Sequence, residues 1–418
     1  MLITHSNLLK AYYSCRKHKR QTINGLKFEY HLEQNILALL ESLQNRTYQP
    51  MRSMCFIVND PKIREIFAAS FADRVVHHLL VDQIEPHWEK HVFIDDTYAC
   101  RKGRGHHFGV RRVWKMVQSN RYYGQFDISN FFANIDKTIL YHLIQAEISL
   151  IPKPHLWKDE VLYLTNAIVF NDPTCNYVYK GDLSLKQLLP KGKSLFEQPP
   201  NTGLPIGNLT SQFFANVYLN ELDQFVINTL QIKDYARYMD DFVLFANSQS
   251  TITQARNQII GFLRQHLRLE LNPRKQKIQP CCHGLAFVGY YLKPGSIYSR
   301  RNVVKTVKKR LHAQKQIAQH STSSKLDYSK QLNKICASLN SYYGHFGKAQ
   351  TFTLRQHLYH CHLPQSLRQQ IIPANQNYSH LKIKPVFSSH QSSAQSRSNS
   401  HQFVTPAPKK LTVTQPRI

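Results

Sequence analysis

Acid is what this chain runs out of. Of its 26 Asp and Glu residues only Asp327 lies beyond Glu270, where 23 Lys and Arg are found. That last third therefore carries +22 of an overall +28. One acid in 148 residues excludes a carboxylate-based nuclease metal site there. So one-sided a field suits a polyanion, a nucleic acid or an anionic membrane surface, and its length and aromatic content favour nucleic acid.

Paired cysteines are missing too. The eight cysteines include no C-x-x-C, and Cys281–Cys282 are adjacent, poor geometry for a mutual bond. Free thiols in a reducing, cytoplasmic setting follow. No apolar run nears the roughly 20 residues of a membrane span, and the N-terminus lacks a leader's basic-then-apolar layout. The Gly- and Arg-rich stretch 100–114 lacks the Lys-Ser/Thr ending of a nucleotide-hydrolase phosphate loop, and reads as a template-contacting loop before a helix. His357, His360, Cys361 and His362 have no second ligand pair at a zinc-finger distance, so a solvated helix end is expected.

What is present is a 42% hydrophobic fraction, enough for a sizeable core. Three-to-four spacing in "FEYHLEQNILALLESL" makes residues 7–45 helical. Strands are expected around the turn Asn59-Asp60-Pro61, and a helix over "RVVHHLLVDQIEPHW". "YYGQFDISNFFANID" reads as a strand ending near Asp127, then a turn and helix; residues 171–200 read as a loop insertion. "LTSQFFANVYLNELDQFVINTL" reads as a long amphipathic helix, "YARYMDDFVLFAN" as a hairpin, and "LAFVGYYLKPGSIYS" as two short strands. Helices follow over 303–319 and 330–345, and from about Leu363 a Ser/Gln/His-rich segment reads as disordered. The class is α+β, an antiparallel sheet with helices on one side.

The hairpin raises a question of charge. Asp240 and Asp241 are adjacent in an apolar setting, where like charges repel unless cations hold them. Neighbours in a strand point to opposite faces, so a second source of carboxylate is needed, and Asp127 supplies it. Side-by-side strands are expected to put Asp127 and Asp240 on one face, with Asp241 at the rim. Oxygen donors at this density suit Mg²⁺, and two such ions can clamp the attacking and leaving oxygens of a phosphoryl transfer.

"YMDD" in a hairpin after an upstream "FDISNFF" resembles the palm of reverse transcriptases. "DPKIREIFAASFADRVVHHLL" looks like the fingers motifs, "GLPIGNLTSQ" like the motif that positions template and nucleotide, "LNPRKQKIQP" like the post-palm lysine motif and "FVGY" like the primer grip. The series runs in order over roughly residues 7–350. It implies a right-hand polymerase: fingers at 1–120, an antiparallel palm sheet backed by helices at 121–280, primer grip and helical thumb at 281–362, and a disordered tail at 363–418.

The resemblance implies that Asp127, Asp240 and Asp241, with the backbone carbonyl of Ile128, hold two Mg²⁺ ions, Mn²⁺ being a possible substitute. Lys62 and Arg64 would meet the incoming triphosphate. Phe132 stands where the family places a gate against the nucleotide 2′-OH, and Lys275 matches the lysine that protonates departing pyrophosphate. Ile206 and Gly207 belong to the nucleotide-positioning motif, where most relatives carry Gln-Gly followed by Ser-Pro. An aliphatic residue there resembles the enzymes of diversity-generating retroelements, associated with error-prone copying opposite adenine, and a related bacterial set, some tied to antiphage defence. A retained fold used only to bind RNA, as in maturases, is the remaining alternative. Lys305, Lys308, Lys309, Arg310, Tyr342 and Tyr343 are expected to contact the nucleic acid. The implied partners are an RNA template, a primer or RNA–DNA hybrid, deoxynucleoside triphosphates and, in the diversifying group, a small accessory protein.

Overall fold

Strands that alternate apolar faces build the centre of the molecule. A computed structural model describes residues 1–17, 19–59, 62–320 and 325–384. Helices α1 (His5–Arg16), α2 (Ile23–Tyr30) and α3 (Leu32–Gln44) precede strands β1 (Ser53–Val58) and β2 (Arg64–Ala68), and α4 (Phe71–His87) and α5 (His106–Ser119) follow. Next come β3 (Tyr122–Ile128), α6 (Phe131–Asn134), α7 (Lys137–Leu150), α8 (His155–Val169), β4 (Tyr177–Tyr179) and α9 (Leu209–Gln224). Strands β5 (Tyr235–Tyr238) and β6 (Asp241–Ala246), helix α10 (Gln249–Leu267) and strand β7 (Leu271–Pro280) complete the middle of the chain. Beyond them lie β8 (Leu285–Phe287), β9 (Tyr290–Lys293), β10 (Ser296–Ser299), α11 (Arg301–His320) and α12 (Lys325–Phe346). The last elements among the described residues are α13 (Phe352–His357), α14 (Gln365–Arg368), β11 (Ile371–Pro373) and β12 (Leu381–Ile383).

The central sheet is antiparallel throughout, in the order β5-β6-β3-β7. Phe126, Ile128, Phe242 and Leu244 point into the main core with α4, α7, α9 and α10. Gly124 lets α10 lie close: a Cβ there would stand 2.5 Å from Ile252 Cγ2. Tyr123, Val243 and Phe245 point the other way, against α5 and the β8-β9-β10 sheet. Both faces are thus covered, where helices on one side were expected, and "LAFVGYYLKPGSIYS" supplies three strands rather than two.

Helix α9 is not amphipathic. It threads the core, burying even Thr210, Ser211, Asn216, Asn220 and Asp223. Its polar residues mislead a periodicity count because their partners are internal, as with Asn216 Nδ2 donating to Ala99 O at 2.9 Å. The 171–200 segment is more than a loop: β4 pairs in parallel with β1, and buried Glu65 accepts from Ser194 Oγ and Leu195 N, both at 2.8 Å. The expected turn residues Asp60 and Pro61 lie outside the described residues.

A second core joins α11, α12 and the C-terminal elements through Val307, Leu311, Leu339, Phe346, Leu367, Ile371 and Leu381. The expectation of disorder from residue 363 is corrected over this part. Leu363, Leu367, Ile371 and Leu381 bury their side chains, and Asn340 clasps the Leu381 backbone through N–H and C=O at 2.7 and 2.8 Å. Four apolar residues were diluted by the polar composition around them. Residues 385–418 of that expected tail lie outside the described residues.

Candidate active site

Sheet register brings the three acids together. In the β3–β6 pairing Asp127 stands directly opposite Asp241, and the β5–β6 hairpin turns over the two residues Met239 and Asp240. Asp240 closes the site from the turn, its carbonyl accepting from Ile128 N at 3.2 Å. The expected face assignment is corrected here. Alternation places Asp127 with Tyr123 and Gln125, and Asp241 with Val243 and Phe245, so Asp241 shares the face and Asp240 lies in the turn. The turn also needs a left-handed residue: Met239 has φ +56°.

The acids repel one another. Burial, then the charges of Asp127 and Asp240, pushes the Asp241 carboxyl up to about 7. Asp240 is also raised, by burial and Asp127, while Lys275 and Arg64 pull it down. Gln125 Nε2 donates to Asp241 Oδ1 at 3.3 Å and to Ala286 O at 3.0 Å. Lys275 Nζ, on β7, lies 2.7 Å from Asp127 Oδ1, and Asn272 Nδ2 lies 3.2 Å from Asp127 Oδ2.

Among the described residues, no three His, Cys, Asp or Glu side chains stand preassembled around one point as a metal site. The donor chemistry nonetheless fits a hard divalent cation. Asp127, Asp240 and Asp241 offer only oxygen, and a cation would offset the burial and the mutual repulsion that raise two of them.

Lys62 is exposed, and Arg64 opens β2, exposed but with its charge acting on Asp240. Phe131 fills the core at 2% exposure and leaves Phe132 half-buried. The 206–208 loop runs along β2. Phe67 N donates to Ile206 O at 2.9 Å and Ala69 N to Asn208 Oδ1 at 3.1 Å. Gly207, at φ +126°, leaves no room for a side chain: its Cβ would meet Ile66 Cγ2 at 2.8 Å.

The expected nucleic-acid contacts lie on α11 and α12. Lys305, Lys309 and Arg310 are exposed, Lys308 and Tyr342 half-buried, and the Arg310 guanidinium sits 5.5 Å from the Tyr342 ring centre. Tyr343 is corrected. It is 2% exposed, its hydroxyl donates to Arg355 O at 2.9 Å, and no base can stack on it. In the 100–114 stretch Arg101 is buried on Glu89 at 2.9 Å, Arg104 and Arg112 pair with Asp95 and Asp96 at 2.6 and 3.1 Å, and Arg111 is exposed.

Sequence reasoning missed Arg237, Asp223 and Asn216. Arg237 is 1% exposed in β5, and its Nη2 lies 2.6 Å from Asp223 Oδ2 on α9. The available signal was an arginine at a buried position of "YARYMDD" and an acid in the apolar run of α9.

Residues 59–292 match the family profile described as reverse transcriptase (RNA-dependent DNA polymerase). Protein YkfC of Escherichia coli (strain K12) is 23% identical over 325 residues, covering 68% of this chain and 78% of that protein. Group II intron-encoded protein LtrA of Lactococcus lactis subsp. cremoris is 21% identical over 326 residues, covering 62% of this chain and 50% of its own length. This chain thus spans about half of that relative. Among solved structures, telomerase from Candida albicans in complex with a fragment of telomeric RNA aligns at TM-score 0.43 and 11% identity, over 80% of this chain and 66% of that one. Apo telomerase from Candida tropicalis aligns at 0.42 and 10%, over 60% and 49%. No described helix is long and apolar enough to cross a membrane.

Proposed function

Since the chain belongs to the reverse transcriptase family of RNA-dependent DNA polymerases, we propose that it extends a primer on an RNA template by nucleotidyl transfer at Asp127, Asp240 and Asp241. The observation that carries this reading is the register of Asp127 opposite Asp241, with Asp240 tied to Ile128 in the adjoining turn. Two Mg²⁺ ions, or Mn²⁺ in their place, held by these carboxylates and the Ile128 carbonyl, would activate the primer 3′-hydroxyl and stabilise the leaving oxygen.

The chain's own residues do the rest. Arg64 and Lys62 neutralise the triphosphate of the incoming deoxynucleotide. Lys275 leaves Asp127 for the departing pyrophosphate, as counter-charge and proton donor. Phe132 excludes a 2′-hydroxyl by volume and offers it no hydrogen bond. Lys305, Lys308, Lys309 and Arg310 follow the backbone of the template–primer hybrid, with Tyr342 beside them, so binding weakens steeply with salt.

Copying is error-prone, in the manner of a diversity-generating retroelement. Ile206 supports this, since it sets hydrocarbon rather than an amide beside the templating base, and Gly207 lets the backbone approach the nucleotide.

Extension of a labelled DNA primer on an RNA template with Mg²⁺ and the four deoxynucleotides tests the activity. Extended product supports the reading; no product with Mg²⁺ or Mn²⁺ rejects it. Sequencing that product tests fidelity: errors concentrated opposite adenine that drop in Ile206→Gln support diversification, and faithful copying by the wild type rejects it.

A further inference from the structure

We infer that the buried ion pair of Arg237 and Asp223 positions the Met239–Asp240 turn, making both residues positioning residues for nucleotide addition; this rests on the polymerase reading of the three acids.

Stability alone gives no reason for such a pair. Arg237 and Asp223 are 1% and 0% exposed, and burying two charges costs about what their attraction returns. The geometry gives the reason. Nε and Nη2 of Arg237 grip Asp223 Oδ1 and Oδ2 at 2.7 and 2.6 Å, a two-pronged contact that fixes the guanidinium plane. The remaining prong, Nη1, then reaches Asn216 Oδ1 and the carbonyl of Met239, both at 3.1 Å. Met239 is the residue before Asp240, and it holds a left-handed backbone that a Met adopts only when its surroundings impose it.

The anchor itself is fixed on every side. Asp223 Oδ1 also accepts the Tyr235 hydroxyl at 2.7 Å. Asn216, two turns earlier on α9, donates to Ala99 O, and the Arg237 backbone bonds Asp96 O at 3.0 Å and Tyr98 N at 3.1 Å. The turn is thus pinned twice: by Arg237 at Met239 O, and by Ile128 N at Asp240 O. A lysine in place of Arg237 would keep the charge beside Asp223, but one ammonium cannot reach Asp223, Asn216 and Met239 in the same fixed plane.

The test compares full-length wild type with Arg237→Lys and with the apolar pair Arg237→Met plus Asp223→Leu. Four quantities are read: melting temperature, hybrid affinity, Mn²⁺ binding by electron paramagnetic resonance, and the single-nucleotide addition rate against nucleotide concentration. Both variants are expected to fold and to bind hybrid like the wild type, the apolar pair melting lower because the Tyr235 hydroxyl and Asn216 Oδ1 lose their partners. Their maximal rate falls about a hundredfold, as a misplaced reacting group predicts, with the nucleotide KM little changed. Mn²⁺ binding weakens about tenfold, as expected when a ligand loses its outer support. A folded variant with wild-type rate and Mn²⁺ affinity overturns the inference, as does a rate loss matched by equal losses of melting temperature and hybrid binding. Should the apolar pair fail to fold, Arg237→Lys alone decides between these outcomes. If the wild type itself does not extend primers, the polymerase reading falls, while Mn²⁺ binding still decides the role of the pair.

Discussion

Lys275 Nζ lies 2.7 Å from Asp127 Oδ1, so a cation of the chain itself rests on the first of the three acids. The contact couples β7 to β3 at the point where β3 delivers its carboxylate. Asp127 would hold a divalent ion in competition with this ammonium, leaving Lys275 free to meet a phosphate.

Replacing Lys275 separates its two uses. Lys275→Ala should lower the rate of nucleotide addition about a hundredfold through the lost proton donor, with hybrid affinity unchanged. Lys275→Arg restores the counter-charge but not an acid of suitable strength, so it should stay slow. Single-turnover kinetics check both, and full recovery in Lys275→Arg would reduce the lysine to a counter-charge.

Asp241 makes the metal-free protein sensitive to pH. Its folded carboxyl titrates at about 7, above the ordinary carboxylate range, so the folded state holds a proton that the unfolded chain has already lost. That contribution to stability is complete at low pH and is lost as pH climbs from about 4 to about 7. In thermal melts with chelator, the wild type should melt lower at pH 8 than at pH 5.5, by more than Asp241→Asn does. Added Mg²⁺ should raise the melting temperature more at pH 8. A wild type no more pH-sensitive than Asp241→Asn would refute the electrostatic account of the acids.

Tyr343 and the exposed lysines of α11 should fail in different ways. Tyr343→Ala removes a buried ring from the second core and should cost about 3–5 kcal/mol, read as a lower denaturation midpoint. Lys305→Ala with Lys309→Ala should leave that midpoint unchanged and weaken hybrid binding. The slope of log affinity against log salt should flatten by about one for each phosphate that no longer has a lysine beside it.

Much of this site can be read from the sequence, because its residues lie in short segments whose local form is strongly signalled. "FDISNFF" alternates as a strand and then breaks, and the strand-forming runs around Met239–Asp240 announce a hairpin. Which acid shares a face with Asp127 is different: it depends on pairing register between strands more than 100 residues apart, and one step of register exchanges Asp240 for Asp241. Arg237 and Asp223 were hidden for a related reason. A charged residue reads as exposed until its partner is known, and the partner here sits on another element. Tyr343 could have been found, since Leu339, Tyr343 and Phe346 repeat at helical spacing. The folded segment at 365–383 could not, because its few apolar residues gain burial only against α11 and α12.

The central claim is that three carboxylates act as one unit, and single-nucleotide extension on an RNA template with Mg²⁺ tests it most directly. Wild type is compared with Asp127→Asn, Asp240→Asn and Asp241→Asn, each first shown to be folded and to bind hybrid. Each substitution should slow addition by more than the roughly hundredfold that loss of an outer partner costs a metal site. Extension at the wild-type rate by any one of the three would contradict the account.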